Sequence, residues 1–428
     1  LDSNGEPIEY SFAVQGVAGY RMSELSTVTD RRLWLAEHEG FPKIVRSGIG
    51  TAPTVIDLDG RSAVFVGGRE IYAWWLDDGT PIHEASAGEP EGLFYDPELP
   101  LDSKAIFVET LVELPLENHP DANRAVVGNV LNDGVWSVAI VPDGSGGYDP
   151  EFHWKRSVRT WATAPLVAEL NREEFPSEYQ VAIPGRTDTL YVWMEDGASY
   201  LPNVGSYGAF AYIHPDSSGG ASHRSLAVWS DGSIHPDQRY LIQSLRHGKV
   251  VRWDTPDPSS SSLADTVWSL RVEPRRDKYA ISAPAVGDVD GDYDAEVVVT
   301  DHVEVFEAAP NCGAEPCGEV FVIDGGTGAL LATATNERRY FRSEGNDAPP
   351  SRPILADLDP DSDGREILVG AWVPREDADV TEYGLVALRA EAGSPMTIEE
   401  VGTKAEVAIP HRIGNNEYPP GETSSRIS

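Results

Sequence analysis

The sequence predicts an all-β fold, a β-propeller of four-stranded antiparallel sheets. A motif of Ser or Thr, one further residue, proline, a short apolar stretch and an acid recurs, with its prolines at 53, 165, 284 and 353. Each copy leads into short apolar runs that end in turns rich in Gly and Asp. No long stretch has convincing helical periodicity. A repeat of roughly 55–70 residues made of short strands is typical of one propeller blade.

The spacing of the copies predicts six repeats. The motif is clearest at 51–57, 163–169, 282–288 and 351–357. The first two gaps between its prolines are much longer than the last gap. We therefore expect a degenerate copy inside each long gap, at 110–136 and 225–253. The predicted repeats start near 53, 109, 165, 225, 284 and 353.

The two ends of the chain predict a further blade. Residues 31–40 resemble a late blade strand without early strands before it, and 405–409 offers a partner strand. Pairing about 1–50 with 404–428 would close the ring and remove two exposed sheet edges. The prediction is a single propeller domain over 1–428 with seven blades, and six blades is the alternative.

An acidic loop after the fifth repeat start predicts a calcium site. Acidic residues occupy every second position from 288 to 296, ahead of three valines. Calcium takes six to eight oxygen ligands, and a tight loop with alternating carboxylates can surround one ion. The other interpretation is a solvated acidic turn. The predicted side-chain ligands are Asp288, Asp290, Asp292 and Glu296, and Asp294 is expected to contribute its backbone carbonyl.

A second acidic loop follows the last repeat start, with its final acid one residue later. Its candidate ligands are Asp357, Asp359, Asp361, Asp363 and Glu366. Two weaker copies differ in their acids. The copy at Asp57 and Asp59 has Arg61 in place of a third acid, so no ion is expected there. The copy at Glu169, Asn171, Glu173 and Glu178 is stretched and is a poor candidate.

The recurring motif with its acidic loop resembles the FG-GAP/VCBS repeats of integrin-α-like propellers. The likeness is strong in the two repeats that contain the acidic loops and weak over most of the chain. In that family the loop joins two strands of a blade and binds calcium, which implies this role for 288–296 and, less directly, for 357–366. Tyr293 occupies a place where the family often has glycine.

Charge and cysteine content limit the possible partners and the cellular compartment. The chain of 428 residues has 33 basic and 70 acidic residues, a formal net charge of −37, which makes nucleic acid an implausible partner. Cys312 and Cys317 are expected to form a small disulfide-bonded loop, which favours an exported protein in an oxidising compartment. The start at Leu1 is expected to reflect a processed N-terminus, a trimmed chain being the alternative. No apolar run is long enough for a membrane-spanning helix.

The usual catalytic signatures are missing from the sequence. It has no Gly-x-Ser-x-Gly elbow and no His-Glu-x-x-His motif. Four histidines between 214 and 247 could gather as a metal or catalytic cluster, although loop histidines without such a role are the favoured interpretation.

Neighbouring strand residues face opposite ways, so one of Trp74 and Trp75 is expected to leave the buried face of its blade.

These observations lead to a functional prediction. The chain is expected to be a non-enzymatic, secreted or cell-surface, calcium-binding propeller that serves protein interaction, adhesion or extracellular assembly. Its partner would be a protein or a glycan, and it could belong to a larger assembly. The alternative is a calcium-dependent polysaccharide lyase or hydrolase with the same fold. A quinone-type dehydrogenase is disfavoured because its tryptophan docking repeat is not recognised.

Overall fold

A computed structural model gives the architecture. It describes residues 45, 51–84, 88–97, 106–130, 133–160, 163–171, 178–185, 189–204, 208–212, 226–230, 239–245, 248–272, 281–300, 319–335, 353–358, 364–374, 381–393 and 396–400. Across these ranges every regular element is a β-strand, which confirms the all-β prediction. Among these residues, no helix is long and apolar enough to cross a membrane.

The strands form six sheets in chain order, which we number sheets 1 to 6. Sheet 1 contains β2 (Thr54–Leu58), β3 (Arg61–Gly67), β4 (Ile71–Trp75) and β5 (Leu93–Tyr95), after the short β1 (Thr51–Ala52). Sheet 2 contains β6 (Phe107–Pro115), β7 (Arg124–Val130), β8 (Gly134–Pro142) and β9 (Tyr148–Arg156). Sheet 3 contains β10 (Leu166–Ala168), β11 (Gln180–Pro184), β12 (Thr189–Met194) and β13 (Ala209–Tyr212).

The remaining sheets follow the same plan. Sheet 4 contains β14 (Leu226–Ser230), β15 (Arg239–Leu245), β16 (Lys249–Trp253) and β17 (Thr266–Arg271). Sheet 5 contains β18 (Ala285–Gly287), β19 (Glu296–Thr300), β20 (Glu319–Asp324) and β21 (Leu330–Thr335). Sheet 6 contains β22 (Ile354–Ala356), β23 (Glu366–Pro374), β24 (Thr381–Glu391) and β25 (Thr397–Glu400).

Each sheet is an antiparallel meander of four strands paired in chain order. The first strands of consecutive sheets adjoin one another in the order β2, β6, β10, β14, β18 and β22. In addition, β1 pairs in parallel with β6 and so extends sheet 2 with residues that precede sheet 1. Successive meanders that meet along their first strands form the arrangement of a β-propeller.

The hydrophobic core lies between the sheets. Separate clusters of buried apolar side chains join sheets 1 and 2, 2 and 3, 3 and 4, 4 and 5, and 5 and 6. Alternate strand residues point to opposite faces, so an inner sheet contributes to two of these clusters. Burying both faces explains the near-continuous apolar strands such as 297–299, whose three valines are fully buried.

The first strands of the sheets begin at residues 54, 107, 166, 226, 285 and 354, each within two residues of a predicted repeat start. Sheets 2 and 4 occupy the two long gaps in which degenerate copies were expected. The segments predicted to form a seventh blade, about 1–50 and 404–428, lie outside the described residues apart from Val45. The seventh blade therefore stays a prediction.

The expectation for the tryptophan pair is wrong. Trp74 and Trp75 do face opposite ways, yet their exposed fractions are only 2% and 5%. Trp75 packs in the cluster between sheets 1 and 2, and Trp74 packs on the other face of sheet 1 with Tyr72 and Val45. Both side chains are buried because sheet 1 is covered on both faces.

Candidate metal centre

The loop between β18 and β19 is built around the carboxylate of Asp288. Its Oδ1 accepts a hydrogen bond from the Gly291 backbone N–H at 2.7 Å, and its Oδ2 accepts one from the Tyr293 N–H at 3.0 Å. Gly291 has a φ of 82° and Tyr293 a φ of 73°, in the left-handed region that favours glycine. The side chain of Asp288 thus holds the chain in a tight, left-handed turn.

Three carboxylates converge inside this turn. Asp288, Asp290 and Glu296 each place an oxygen within 4.8 Å of the other two. The Glu296 side chain, at the first position of β19, belongs to a residue only 3% exposed. Its Oε2 accepts a hydrogen bond from the Val289 N–H at 2.9 Å. Oxygen ligands gathered in this way suit a hard cation such as calcium or magnesium.

The electrostatics of the cluster are unfavourable without a cation. Burial, with the nearby carboxylates of Asp290, Asp292 and Asp288, raises the pKa of Glu296 to about 8, although the Val289 N–H opposes the shift. Burial, followed by the charge of Asp292, also raises the pKa of Asp290. A divalent ion would stabilise the ionised forms and reverse both effects.

Neighbouring sheets hold the loop from two sides. From sheet 4, the Trp229 Nε1–H donates to the backbone carbonyl of Ala295 at 2.8 Å. From sheet 6, the Arg365 N–H donates to the backbone carbonyl of Asp288 at 3.0 Å. Gly364, with a φ of 83°, lies so close that a Cβ there would be 2.6 Å from the Val289 carbonyl oxygen. The cluster therefore lies at a junction of three sheets.

The structure brings together three of the five predicted residues of the first loop. Asp292 and Asp294 are exposed and stand outside the three-carboxylate cluster. The Asp292 Oδ1 accepts a hydrogen bond from the Asp294 N–H at 2.8 Å. Tyr293 lies between them at the tip of the loop, 94% exposed. The ligand roles of Asp292 and Asp294 stay predictions.

The second acidic loop is only partly described. Asp357 is exposed, and Asp359, Asp361 and Asp363 lie outside the described residues. Glu366 is 2% exposed, and its Oε2 accepts a hydrogen bond from the Leu358 N–H at 2.9 Å. Its Oε1 accepts bonds from the guanidinium of Arg389, from Nη2 at 2.8 Å and from Nε at 3.1 Å. Sequence inspection missed Arg389 because it comes from β24, 23 positions along the chain.

The two weaker copies use their polar residues within the protein. Arg61, which stands in place of a third acid, pairs with the exposed Asp77 and Asp78 at 2.7 Å and lies over the Trp75 ring. The hydrogen bond from Arg61 also lowers the pKa of Asp77.

In sheet 3, Glu169 is 3.7 Å from the guanidinium of Arg239. Asn171 and Glu178 are also described, while Glu173 lies outside the described ranges.

The predicted disulfide and the four histidines between 214 and 247 have no described position. Cys312 and Cys317 lie outside the described residues, so the disulfide stays a prediction. The same holds for the histidines predicted to be loop residues, His214, His223, His235 and His247.

Comparison with known proteins gives structural likeness only. No family model matches the chain, and no curated protein matches it in sequence. The chain is similar to the C-terminal domain of PilY1 from Pseudomonas aeruginosa, with 11% identity and a TM-score of 0.46, over 77% of this chain and 79% of that one. It is similar to a europium-containing methanol dehydrogenase, with 10% identity and a TM-score of 0.40, over 84% and 72%.

A third similar structure is BamB from Moraxella catarrhalis, with 11% identity and a TM-score of 0.34, over 76% of this chain and 80% of that one. Likeness of this degree says nothing about activity, ligand or partner. The propeller architecture rests on the sheet order and on the contacts between first strands described above.

Proposed function

We propose that this chain is a non-enzymatic, calcium-binding β-propeller of the FG-GAP/VCBS type that acts as an interaction module outside the cell. The observation that supports it most strongly is the cluster of Asp288, Asp290 and Glu296, in which a buried glutamate faces two further carboxylates. In this role the ion is structural. It would draw the carboxylates of one loop together and stabilise the junction of sheets 4, 5 and 6.

Calcium is the proposed ion because the cluster is made of carboxylate oxygens on an irregular loop. Magnesium demands near-ideal octahedral geometry and keeps several waters, whereas calcium accepts irregular sites with more oxygen ligands. Asp292 and the backbone carbonyls of the loop are available to complete such a shell. The unfolded loop cannot hold these ligands together, so bound calcium adds to the free energy of unfolding.

Placement outside the cell is supported by the predicted disulfide. A Cys312–Cys317 disulfide would persist only in an oxidising compartment. The formal charge of −37 keeps a protein soluble and disfavours anionic partners. A partner would be a protein or a glycan bound by loops at a face of the propeller. Pull-down of such a partner without turnover of glycans would separate this role from that of a lyase or hydrolase.

The decisive experiment compares thermal unfolding in millimolar calcium and in excess EDTA, with metal analysis of the purified protein. Wild type is expected to contain calcium and to melt several degrees lower in EDTA. Asp290→Ala should lower the melting temperature in calcium and not in EDTA, because without metal the carboxylate accepts one long hydrogen bond, from the Asp292 N–H at 3.4 Å, and is repelled by its neighbours.

The control is Asp143→Ala. Asp143 also orders a turn, accepting hydrogen bonds from Ser145 N–H at 2.7 Å and Gly147 N–H at 2.9 Å, but it lies in sheet 2, outside the carboxylate cluster. Its variant should destabilise the protein equally in calcium and in EDTA. If Asp290→Ala lowered the melting temperature equally in calcium and in EDTA, the calcium proposal would be contradicted.

A further inference from the structure

Three sheets place an oxygen-bearing side chain at one equivalent position, the start of the second strand. In the strand register Glu296 is opposite Gly287, Glu366 is opposite Ala356, and Gln180 is opposite Ala168. Each side chain accepts a hydrogen bond from the backbone N–H two residues beyond its partner. The donors are Val289 at 2.9 Å, Leu358 at 2.9 Å and Leu170 at 2.6 Å. We call this residue the closing residue of the loop.

The third strand supplies a different neighbour to each closing residue. Glu296 is opposite Asp324, and Gln180 is opposite Met194. In sheet 6, Ile367 is opposite Leu388, so the next position along β24 brings Arg389 to Glu366. The neighbours are therefore an acid, a thioether and a guanidinium. From the third strand, Asp324 therefore brings no cation to Glu296, whereas Arg389 brings one to Glu366.

The guanidinium of Arg389 already satisfies the buried Glu366. It binds Oε1 through two nitrogens, at 2.8 and 3.1 Å, while Oε2 accepts the Leu358 N–H. Hydrogen bonds between a guanidinium and a carboxylate are charge-assisted and about twice as strong as neutral ones. A metal ion on the same carboxylate would lie beside a like charge and would compete with these hydrogen bonds. By contrast, the carboxylates grouped with Glu296 are Asp288 and Asp290.

We propose that Arg389 replaces the metal ion in sheet 6, so that Glu366 is not a metal ligand and the neighbour on the third strand decides which loop depends on an ion. A loop whose closing glutamate faces Asp324 requires an external cation, and a loop whose closing glutamate binds Arg389 carries its own. For sheet 5 this inference rests on the proposed function. For sheet 6 it stands on the Arg389–Glu366 contact.

The test measures bound calcium and the calcium-dependent rise in melting temperature for wild type, Glu296→Gln, Glu366→Gln and Arg389→Met. Glu366→Gln is expected to leave both quantities at their wild-type values, although the protein melts lower in calcium and in EDTA alike. Arg389→Met is expected to enlarge the calcium-dependent rise by several degrees and to add one bound ion, because Glu366 then lacks its cation. Arg61→Met, which removes an arginine paired with exposed acids, should leave the rise unchanged.

The outcomes separate the inference from the proposed function. The inference would be overturned if Glu366→Gln lost a bound calcium ion or showed a smaller calcium-dependent rise in melting temperature, even if Glu296→Gln also loses an ion. If Arg389→Met destabilises equally in calcium and EDTA without gaining an ion, the inference is likewise wrong. If Arg389→Met fails to fold, Glu366→Gln alone decides. Unchanged calcium content in Glu296→Gln would contradict the proposed function and leave the sheet 6 result to stand by itself.

Discussion

Replacing Glu296 by glutamine in the absence of metal isolates the free energy of burying its carboxylate. The ordinary pKa of 4.5 is raised to about 8 in the folded protein, chiefly by burial and then by the neighbouring aspartates. Between these two values the folded state keeps a proton that the unfolded state has released. The free energy of unfolding of the metal-free protein must therefore fall as the pH rises through this window.

The size of this effect follows from the two pKa values. At 1.36 kcal/mol per pH unit, the interval from 4.5 to about 8 corresponds to a loss of about 5 kcal/mol. This is a large fraction of the 5–15 kcal/mol that is typical of folded proteins. Glutamine keeps an oxygen to accept the Val289 N–H and carries no charge. The variant should therefore lack this part of the pH dependence.

The assay is denaturant unfolding in EDTA from pH 5 to pH 9, repeated in millimolar calcium. In EDTA the two proteins should have similar stability near pH 5, and Glu296→Gln should be the more stable by several kcal/mol near pH 9. In calcium the gap near pH 9 should shrink, because an ion present at one hundred times its dissociation constant adds about 2.7 kcal/mol to wild type and not to the variant. Parallel pH profiles in EDTA, or a stability difference near pH 9 that calcium leaves unchanged, would refute the reasoning.

Two further predictions concern contacts between sheets, one at the metal loop and one away from it. Gly364→Ala would force a Cβ to within 2.6 Å of the Val289 carbonyl oxygen at a φ of 83°, so it should cost about 1–2 kcal/mol and weaken calcium binding. A calcium titration with unchanged affinity would contradict this coupling between sheets 5 and 6. Trp154→Phe removes the Nε1–H bond to the Glu195 carbonyl at 2.7 Å, between sheets 2 and 3, and should cost about 1–2 kcal/mol. The loss of stability should be equal in calcium and in EDTA. A loss that depends on calcium would show that this contact between sheets 2 and 3 is coupled to the metal site.

Much of the fold and part of the site were predictable because they depend on residues close in sequence. Short apolar runs, prolines and Gly/Asp turns specify strands and their connections, which produce the succession of four-stranded meanders. The alternation of acids from 288 to 296 likewise places several carboxylates on one short loop. The turn that joins Asp288 to Gly291 and Tyr293 spans five positions.

Which of those acids converge was decided by strand geometry. Asp288, Asp290 and Glu296 meet because Glu296 begins β19 and points into the buried side of the turn, whereas Asp292 and Asp294 lie at its exposed tip. The same burial sets the raised pKa of Glu296. A pattern of alternating acids contains no information about which side chain loses its water.

Long-range packing decided the rest. The sequence by itself determined the repeating strands, the acidic loops and the charge, since each is a local or compositional property. Only the tertiary structure placed Trp229 against a carbonyl 66 positions away and buried Trp74 together with Trp75. Only the tertiary structure gave Glu366 the guanidinium of Arg389, because strand register joins residues that are far apart in the chain. Two loops that look alike as sequences thereby acquire different charge partners.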